Sequence, residues 1–182
     1  VNHKNPPNFI GFIVNYKITI NKWKECQDYE RKSWGEEVHF HLTHQEVLKQ
    51  RYYAIEMGLA ENLDNFPIDM KNKSVLDVGC GPVSLLFRTT NFKRAVGLEP
   101  LFYGEEVLEL YKENGIEIES IPAEQMNFKE REFDEVWMMN VLQHTYDPEV
   151  VLEKISKVGK TLRIFEWIGI PAHEGHPHEL TK

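Results

Sequence analysis

Short apolar runs alternate with segments of helical periodicity along the second half of the chain. The apolar runs predict five β-strands, at residues 74–78, 94–98, 116–121, 133–139 and 161–168. The segments between them predict helices at about 83–91 and 104–113, and a further helix that begins after Asp147. Strands that alternate with helices form βαβ units with right-handed crossovers. The predicted fold class is therefore α/β, with a doubly wound and mostly parallel sheet.

The N-terminal part has a different pattern, in which helices dominate. Apolar side chains recur at steps of three and four over residues 44–63, and these are Leu48, Tyr52, Ile55, Leu59 and Leu63. Residues 23–35 favour a shorter helix, and residues 9–20 favour a strand or hairpin arm. We therefore expect an N-terminal arm with helices that form a lid at residues 1–65, and the sheet domain at residues 66–182.

Composition and charge argue against several functional classes, namely nucleic-acid-binding, membrane-spanning and secreted proteins. The chain has 182 residues and a net charge of −8, from 21 Lys and Arg against 29 Asp and Glu. An acidic balance argues against a nucleic-acid surface as the main function. No apolar run approaches the roughly 20 residues of a membrane span, and the start of the chain has no signal-peptide pattern. Cys26 and Cys80 are far apart, which favours free thiols in a reducing cytoplasm.

A glycine-rich turn follows the first predicted strand of the sheet. Gly79 and Gly81 stand between the apolar run 74–78 and a segment of helix formers. This order brings backbone N–H groups close to a ligand at a helix N-terminus. Asp77 is unusual in such a strand, because a buried carboxylate is costly unless it has polar partners. Two nucleotide cofactors compete for the turn, and a dinucleotide would require a third glycine that is absent here.

The sequence from Val75 to Pro82 resembles the first motif of class I (Rossmann-like) S-adenosylmethionine-dependent methyltransferases, except that Pro82 replaces a small residue. Three later motifs follow in the family's order within residues 74–168. The resemblance implies S-adenosylmethionine as cofactor, with Glu99 on the ribose, Glu124 near the adenine and a loop beside the methionine end. The implied cofactor-binding residues are Asp77, Gly79, Cys80, Gly81, Glu99, Ala123, Glu124 and Asn140.

The family resemblance implies methyl transfer, and we expect a small-molecule acceptor, methylated at oxygen. His144 is the candidate general base, since an unperturbed histidine titrates near pH ~6.5; the alternative is that it packs against the Asp147 turn. Some relatives hold a divalent metal with acidic residues in this loop. Amides at Asn140 and Gln143 replace those acids here, so we expect no metal.

Two histidine clusters flank the predicted sheet. One comprises His39, His41 and His44, and the other comprises His173, His176 and His178. We expect the clusters to face each other across the acceptor pocket and to bind an anionic or hydroxylated substrate, with or without a metal ion. The alternative is that they are solvated loop residues. Trp167 would add an apolar wall to this substrate site.

The sequence is also compatible with other functions, and it lacks strands that the family's sheet usually has. A methyltransferase-like domain that binds a partner without catalysis is one alternative, and a nicotinamide-dependent oxidoreductase is another. The family's sheet usually has two more strands after the fifth, and this sequence stops at Lys182. We therefore expect missing C-terminal strands, or a second copy or partner that covers the exposed strand. Because the chain starts at Val1, we also expect a preceding segment.

Overall fold

The computed structural model describes residues 13–14, 17–35 and 44–181. Its elements in chain order are β1 (Ile13–Val14), α1 (Ile20–Gly35), α2 (His44–Glu56), β2 (Ile68–Asp69), β3 (Ser74–Val78), a 3-10 helix (Leu85–Arg88), β4 (Thr89–Thr90), β5 (Arg94–Leu98), α3 (Glu105–Glu113), β6 (Ile116–Glu119), a 3-10 helix (Ala123–Gln125), β7 (Phe133–Met139), a 3-10 helix (Leu142–His144), α4 (Pro148–Val158), β8 (Gly159–Phe165) and β9 (Leu180–Thr181).

The core is a five-stranded parallel sheet with the order β6-β5-β3-β7-β8. Strand β3 is central and every one of its residues is buried. Its side chains alternate between two apolar layers: Leu76 and Val78 pack on the side of α4, and Val75 packs on the side of α2 and α3. The doubly wound, parallel α/β fold is therefore confirmed, and the carboxyl ends of β3, β5 and β7 meet at one edge.

The strongest apolar runs have the bounds that their pattern predicts. Strands β3, β5 and β7 match the predicted bounds, whereas β6 ends at Glu119 and β8 covers 159–165. Asp147 caps α4, because its side chain accepts a hydrogen bond from the Val150 N–H, and Pro148 is the first helical residue. Buried strands and well-capped helices are thus the elements that local sequence specifies best.

The predicted helix at 83–91 is wrong. A single 3-10 turn at Leu85–Arg88 replaces it, and the chain then enters β4, which pairs in parallel with β2. Thr89 and Thr90 are β-branched and favour extended backbone. Helix α2 also ends at Glu56, seven residues before the predicted end, because the chain turns back at Gly58 with φ of 67°.

The N-terminal helices lie against the sheet domain. Strand β1 pairs antiparallel with β9, so the two ends of the described chain meet. The indole of Trp23 in α1 donates to the His144 carbonyl, and the guanidinium of Arg163 in β8 donates to the Met57 carbonyl after α2. The predicted boundary at residue 65 stays a prediction. Among the described residues, β8 forms one edge of the main sheet, and no helix there is long and apolar enough to cross a membrane.

Candidate functional site

A cavity of about 320 Å³ opens at the carboxyl ends of the central strands. Small-molecule sites in proteins are usually about 300–1,000 Å³, and in open α/β sheets they lie at this edge. The sheet domain contributes the turn after β3, the loops after β5 and β6 and the loop after β7, while α1 and α2 cover the remaining side. The N-terminal helices thus form the wall that the predicted lid would form.

Two glycines with positive φ shape the floor of this cavity. Gly79 has φ of 68°, and a Cβ built there would lie 2.5 Å from Cγ2 of Val141. Gly81 has φ of 61°, and nothing lies within 4 Å of a Cβ at that position. Both positions require a left-handed backbone that favours glycine. Gly79 therefore permits close packing of two loops, and Gly81 leaves open space that fits a cofactor.

Asp77 lies beneath the turn and is not part of the cavity wall. The side chain is fully buried, Oδ2 accepts a 2.6 Å hydrogen bond from Ser84, and Oδ1 has no partner. Burial raises the pKa of this carboxyl to about 7, although the Ser84 hydrogen bond opposes the rise. Its direct contacts are therefore with the turn, and its predicted contact with the cofactor stays a prediction.

Glu99 lines the cavity at the end of β5. Its two oxygens accept hydrogen bonds of 3.0 Å from the N–H groups of Gly81 and Leu101. Burial raises its pKa to about 7. Each carboxyl oxygen can accept a second hydrogen bond, so the ribose contact that the resemblance implies is compatible with this anchoring.

Ala123 and Glu124 line the cavity after β6, where the resemblance places the adenine. Oε1 of Glu124 accepts hydrogen bonds from the N–H groups of Tyr146 (2.6 Å) and Asp147 (3.0 Å). Burial raises the pKa of this carboxyl. Glu124 therefore holds the turn before α4 with one oxygen.

Asn140 and Cys80 complete the set of predicted cofactor residues. Asn140 lines the cavity with φ of 59°, and its Oδ1 accepts a 2.6 Å hydrogen bond from Gln143. Cys80 is buried at the cavity floor with its Sγ close to Gly97 of β5. Burial holds the pKa of the Cys80 thiol well above its usual value, so this residue has a packing role and no thiolate at neutral pH.

His144 lines the cavity at the end of the 3-10 helix that follows β7. Its Nδ1 lies 2.9 Å from the Gly175 carbonyl and donates to it, and its own carbonyl accepts from Trp23 and Gln27 of α1. Burial, together with the nearby His176, lowers the pKa of His144 to about 3. The ring is therefore neutral at neutral pH and a weak base, which weakens the case for a general base.

The histidines after β8 separate into three environments. The rings of His144 and His176 are 4.3 Å apart, and those of His173 and His176 are 4.2 Å apart. Only His176 of the second cluster lines the cavity; His173 is exposed, and His178 is buried against the Thr145 carbonyl at 2.8 Å. His39 and His41 lie outside the described residues, as does the side chain of His44.

Trp167 does not line the cavity. It is 42% exposed, and its ring packs edge-on against Phe165 at 5.2 Å. The predicted substrate wall is therefore part of an outer aromatic surface, which also includes Tyr52.

Several residues of the site are not indicated by the sequence. Glu30 and Gln50 line the cavity from α1 and α2, and the Gln50 amide donates to the Val83 carbonyl of the glycine-rich turn. Glu166 accepts hydrogen bonds from Val141 and Leu142 through one buried oxygen, and burial raises its pKa to about 8. In the sequence, Gln50 is one of several polar residues of an amphipathic helix, and the pattern does not distinguish it from the others.

Residues 76–162 match the model of the methyltransferase domain family Methyltransf_11. The chain carries a class I, Rossmann-like methyltransferase domain. Its cofactor is S-adenosylmethionine, as the resemblance implied, and the alternative of a nicotinamide-dependent oxidoreductase is wrong.

Solved structures share the fold of this methyltransferase domain. A Haemonchus contortus phosphoethanolamine N-methyltransferase 1, in complex with phosphoethanolamine and S-adenosylhomocysteine, has a TM-score of 0.61 at 13% identity, over 85% of this chain and 34% of that one. A methyltransferase from Aquifex aeolicus has a TM-score of 0.52 at 18% identity, over 82% of this chain and 77% of that one. At these identities the likeness concerns the fold alone.

The curated proteins that are similar to this methyltransferase domain all have the same name. Proteins from Sulfurovum sp. and Nautilia profundicola are each 32% identical over 94 residues, which is 49% of this chain and 31% of each relative. One from Aliarcobacter butzleri is 28% identical over 107 residues, which is 56% of this chain and 35% of that protein. All are tRNA U34 carboxymethyltransferases, and this chain spans about a third of their length.

These relatives overturn two expectations. A small-molecule acceptor, and the absence of nucleic acid among the partners, are both contradicted by relatives whose substrate is a tRNA. The net charge of −8 is a poor guide to nucleic-acid binding, because it sums the charges of the whole chain. A phosphate contact depends on local arginines and lysines, which the total does not reveal.

Proposed function

We propose that this domain transfers a methyl or a carboxymethyl group to a uridine of a tRNA. The donor is the sulfonium of S-adenosylmethionine or of its carboxylated analogue. The observation that carries the proposal is the similarity to the tRNA U34 carboxymethyltransferases. Because the sulfonium donor is already activated, the protein mainly has to align donor and acceptor and to exclude water. The cavity between the sheet edge and α1 and α2 has a shape that suits both tasks.

Two arginines support an RNA partner. Arg51 of α2 and Arg88 of the first 3-10 helix are close enough that the Arg51 charge lowers the pKa of Arg88, in addition to the larger effect of burial. Nε of each side chain is buried without a hydrogen-bond partner. A carboxylate would normally neutralise such a pair, and a phosphate oxygen satisfies the same donors.

Residues close to the arginine pair in sequence line the cavity. Gln50, which precedes Arg51, and Leu85, which lies three residues before Arg88, both line the cavity. A phosphate held by the pair would therefore lie close to a nucleotide whose base enters the cavity. Phosphate contacts of this kind fix the register of a nucleic acid and carry little sequence specificity.

Exposed aromatic rings support an unstacked RNA base. Tyr52 is 47% exposed and Trp167 is 42% exposed, and both pack edge-on against Phe165. Phe165 in turn stacks against Tyr53 of the cavity wall, with ring centroids 4.7 Å apart. Single-stranded RNA bases stack on aromatic side chains of this type, so we include Trp167 in the proposed RNA surface.

The proposal is tested by incubating the chain with unmodified tRNA transcripts and either S-adenosylmethionine or its carboxylated sulfonium analogue. Mass spectrometry of the digested nucleosides is expected to show a modified uridine that depends on the enzyme and on the donor. Gly81→Ala, which places a methyl group in the cofactor space, is expected to abolish the product. Unmodified tRNA together with normal cofactor binding would overturn the proposal and favour a non-catalytic binding domain.

A further inference from the structure

We propose that Glu30, His144 and His176 form a binding site for a divalent transition-metal ion of the zinc type. The three residues come from α1, from the 3-10 helix after β7 and from the loop after β8, and all three line the cavity. One ligand atom from each lies within 4.8 Å of those from the other two. Three distant parts of the chain thus bring two imidazoles and a carboxylate together.

The donor set matches the chemistry of such an ion. Two histidines and one carboxylate are the protein ligands of several catalytic zinc and iron sites, and a fourth position stays open. Ligand atoms about 2.0–2.2 Å from a zinc ion lie about 3–4 Å apart. One ligand atom of each residue already lies within 4.8 Å of the other two, so small side-chain rotations are sufficient to complete the site.

The local hydrogen bonds support the assignment independently. His144 donates from Nδ1 to the Gly175 carbonyl, which leaves the lone pair on Nε2. A backbone carbonyl that holds one ring nitrogen in this way is typical of metal-binding histidines. Nδ1 of His176 is buried without any hydrogen-bond partner, and a buried polar atom without a partner is costly. A metal ion would satisfy it.

Among the proposed ligands, only His144 belongs to the loop after β7 that the sequence singled out. The Gln143 amide donates to Asn140 Oδ1 at 2.6 Å, and the expectation that these two positions hold no metal stays a prediction. Glu30 and His176 supply the remaining ligands from other elements. Because the site joins α1 to the sheet domain, bound metal is expected to tie the N-terminal wall of the cavity to the core.

The test uses the untagged chain after treatment with a chelator, without cofactor or RNA, so its outcome does not depend on the proposed function. Titration calorimetry with zinc ion alone is expected to show one binding site, with a rise in melting temperature on saturation. Cobalt ion is expected to give visible absorption of a four- or five-coordinate site. The substitutions Glu30→Gln and His176→Gln are each expected to weaken zinc binding at least tenfold.

Matched controls are available on the same elements. Glu25→Gln, at an exposed position of α1, and Glu174→Gln, at an exposed position of the loop after β8, are expected to keep the affinity of the unchanged chain. Circular dichroism verifies that each variant is folded. Absence of stoichiometric binding, or equal affinity in all four folded variants, would overturn the proposal, because the second result would place the ion elsewhere.

Discussion

Ser84 donates a 2.6 Å hydrogen bond to Oδ2 of Asp77 beneath the glycine-rich turn, and the same hydroxyl oxygen accepts the Leu86 N–H at 2.9 Å. One hydroxyl therefore joins the central strand to the first 3-10 helix. We expect Ser84→Ala to lower the free energy of unfolding by about 1–3 kcal/mol, because it leaves a buried carboxyl without a partner. Denaturant unfolding measures the change, and Ser156→Ala, at a hydroxyl that binds only its own helix, is the control and should change by less than about 0.5 kcal/mol.

Asp77 also predicts a specific pH dependence of stability. Its pKa rises from about 3.9 in an unfolded chain to about 7 in the folded protein. Between these values the folded state keeps a proton that the unfolded state has lost, so stability falls as pH rises, by at most about 1.4 kcal/mol per pH unit. We expect the unchanged chain to lose stability relative to Asp77→Asn from about pH 4 to pH 7, with no further relative change above about pH 8. A pH-independent difference between the two proteins would contradict the buried, protonated state.

Alanine substitutions at the two glycines of the turn are expected to have different main effects, one on stability and one on cofactor binding. Gly79→Ala combines left-handed strain with a contact to Val141 at 2.5 Å, and we expect a loss of about 2–5 kcal/mol of stability. Gly81→Ala has the strain alone, about 1–2 kcal/mol, but its methyl group enters the cofactor space. Denaturant unfolding and titration with S-adenosylhomocysteine separate the effects, since Gly81→Ala should lose binding while it remains folded. Unimpaired binding in Gly81→Ala would contradict the position of the cofactor.

The sequence correctly predicts those strands and helices that are specified by residues close to one another in the chain. The bounds of β3, β5 and β7 follow from apolar runs, and α4 follows from Asp147 and Pro148. The helix after β3 fails as a prediction, because Thr89 and Thr90 pair with β2, a partner that periodicity cannot reveal. Tertiary pairing overrode the helix propensity of Leu85–Arg88.

The candidate site likewise contains residues that the sequence reveals and residues that only the folded structure reveals. Gly79, Gly81 and Glu99 are recognisable in the sequence, because the glycine pair follows the apolar run of β3 and Glu99 directly follows the apolar run of β5. Glu30 and His176 could not be found in this way, since only the packing of α1 and the loop after β8 brings them to His144. The low pKa of His144 likewise arises from burial, which a single position in a sequence does not show.

The arginine pair provides a test of the RNA surface that is separate from catalysis. Arg51→Gln and Arg88→Gln are each expected to weaken tRNA binding several-fold and to reduce the salt dependence of log K by about one unit of slope. Affinity for S-adenosylhomocysteine should be unchanged, because neither side chain lines the cavity. Lys112→Gln, at an exposed position of α3, controls for the loss of one positive charge. Fluorescence anisotropy with labelled tRNA at several salt concentrations measures the effect, and equal loss in all three variants would contradict a specific phosphate site.

Titration calorimetry of the folded chain with S-adenosylhomocysteine tests most directly whether the cavity above Gly81 and Glu99 holds the cofactor. We expect one binding site, which Gly81→Ala removes and Lys112→Gln leaves unchanged. No detectable binding to the folded chain, or the same binding in Gly81→Ala, would contradict this expectation.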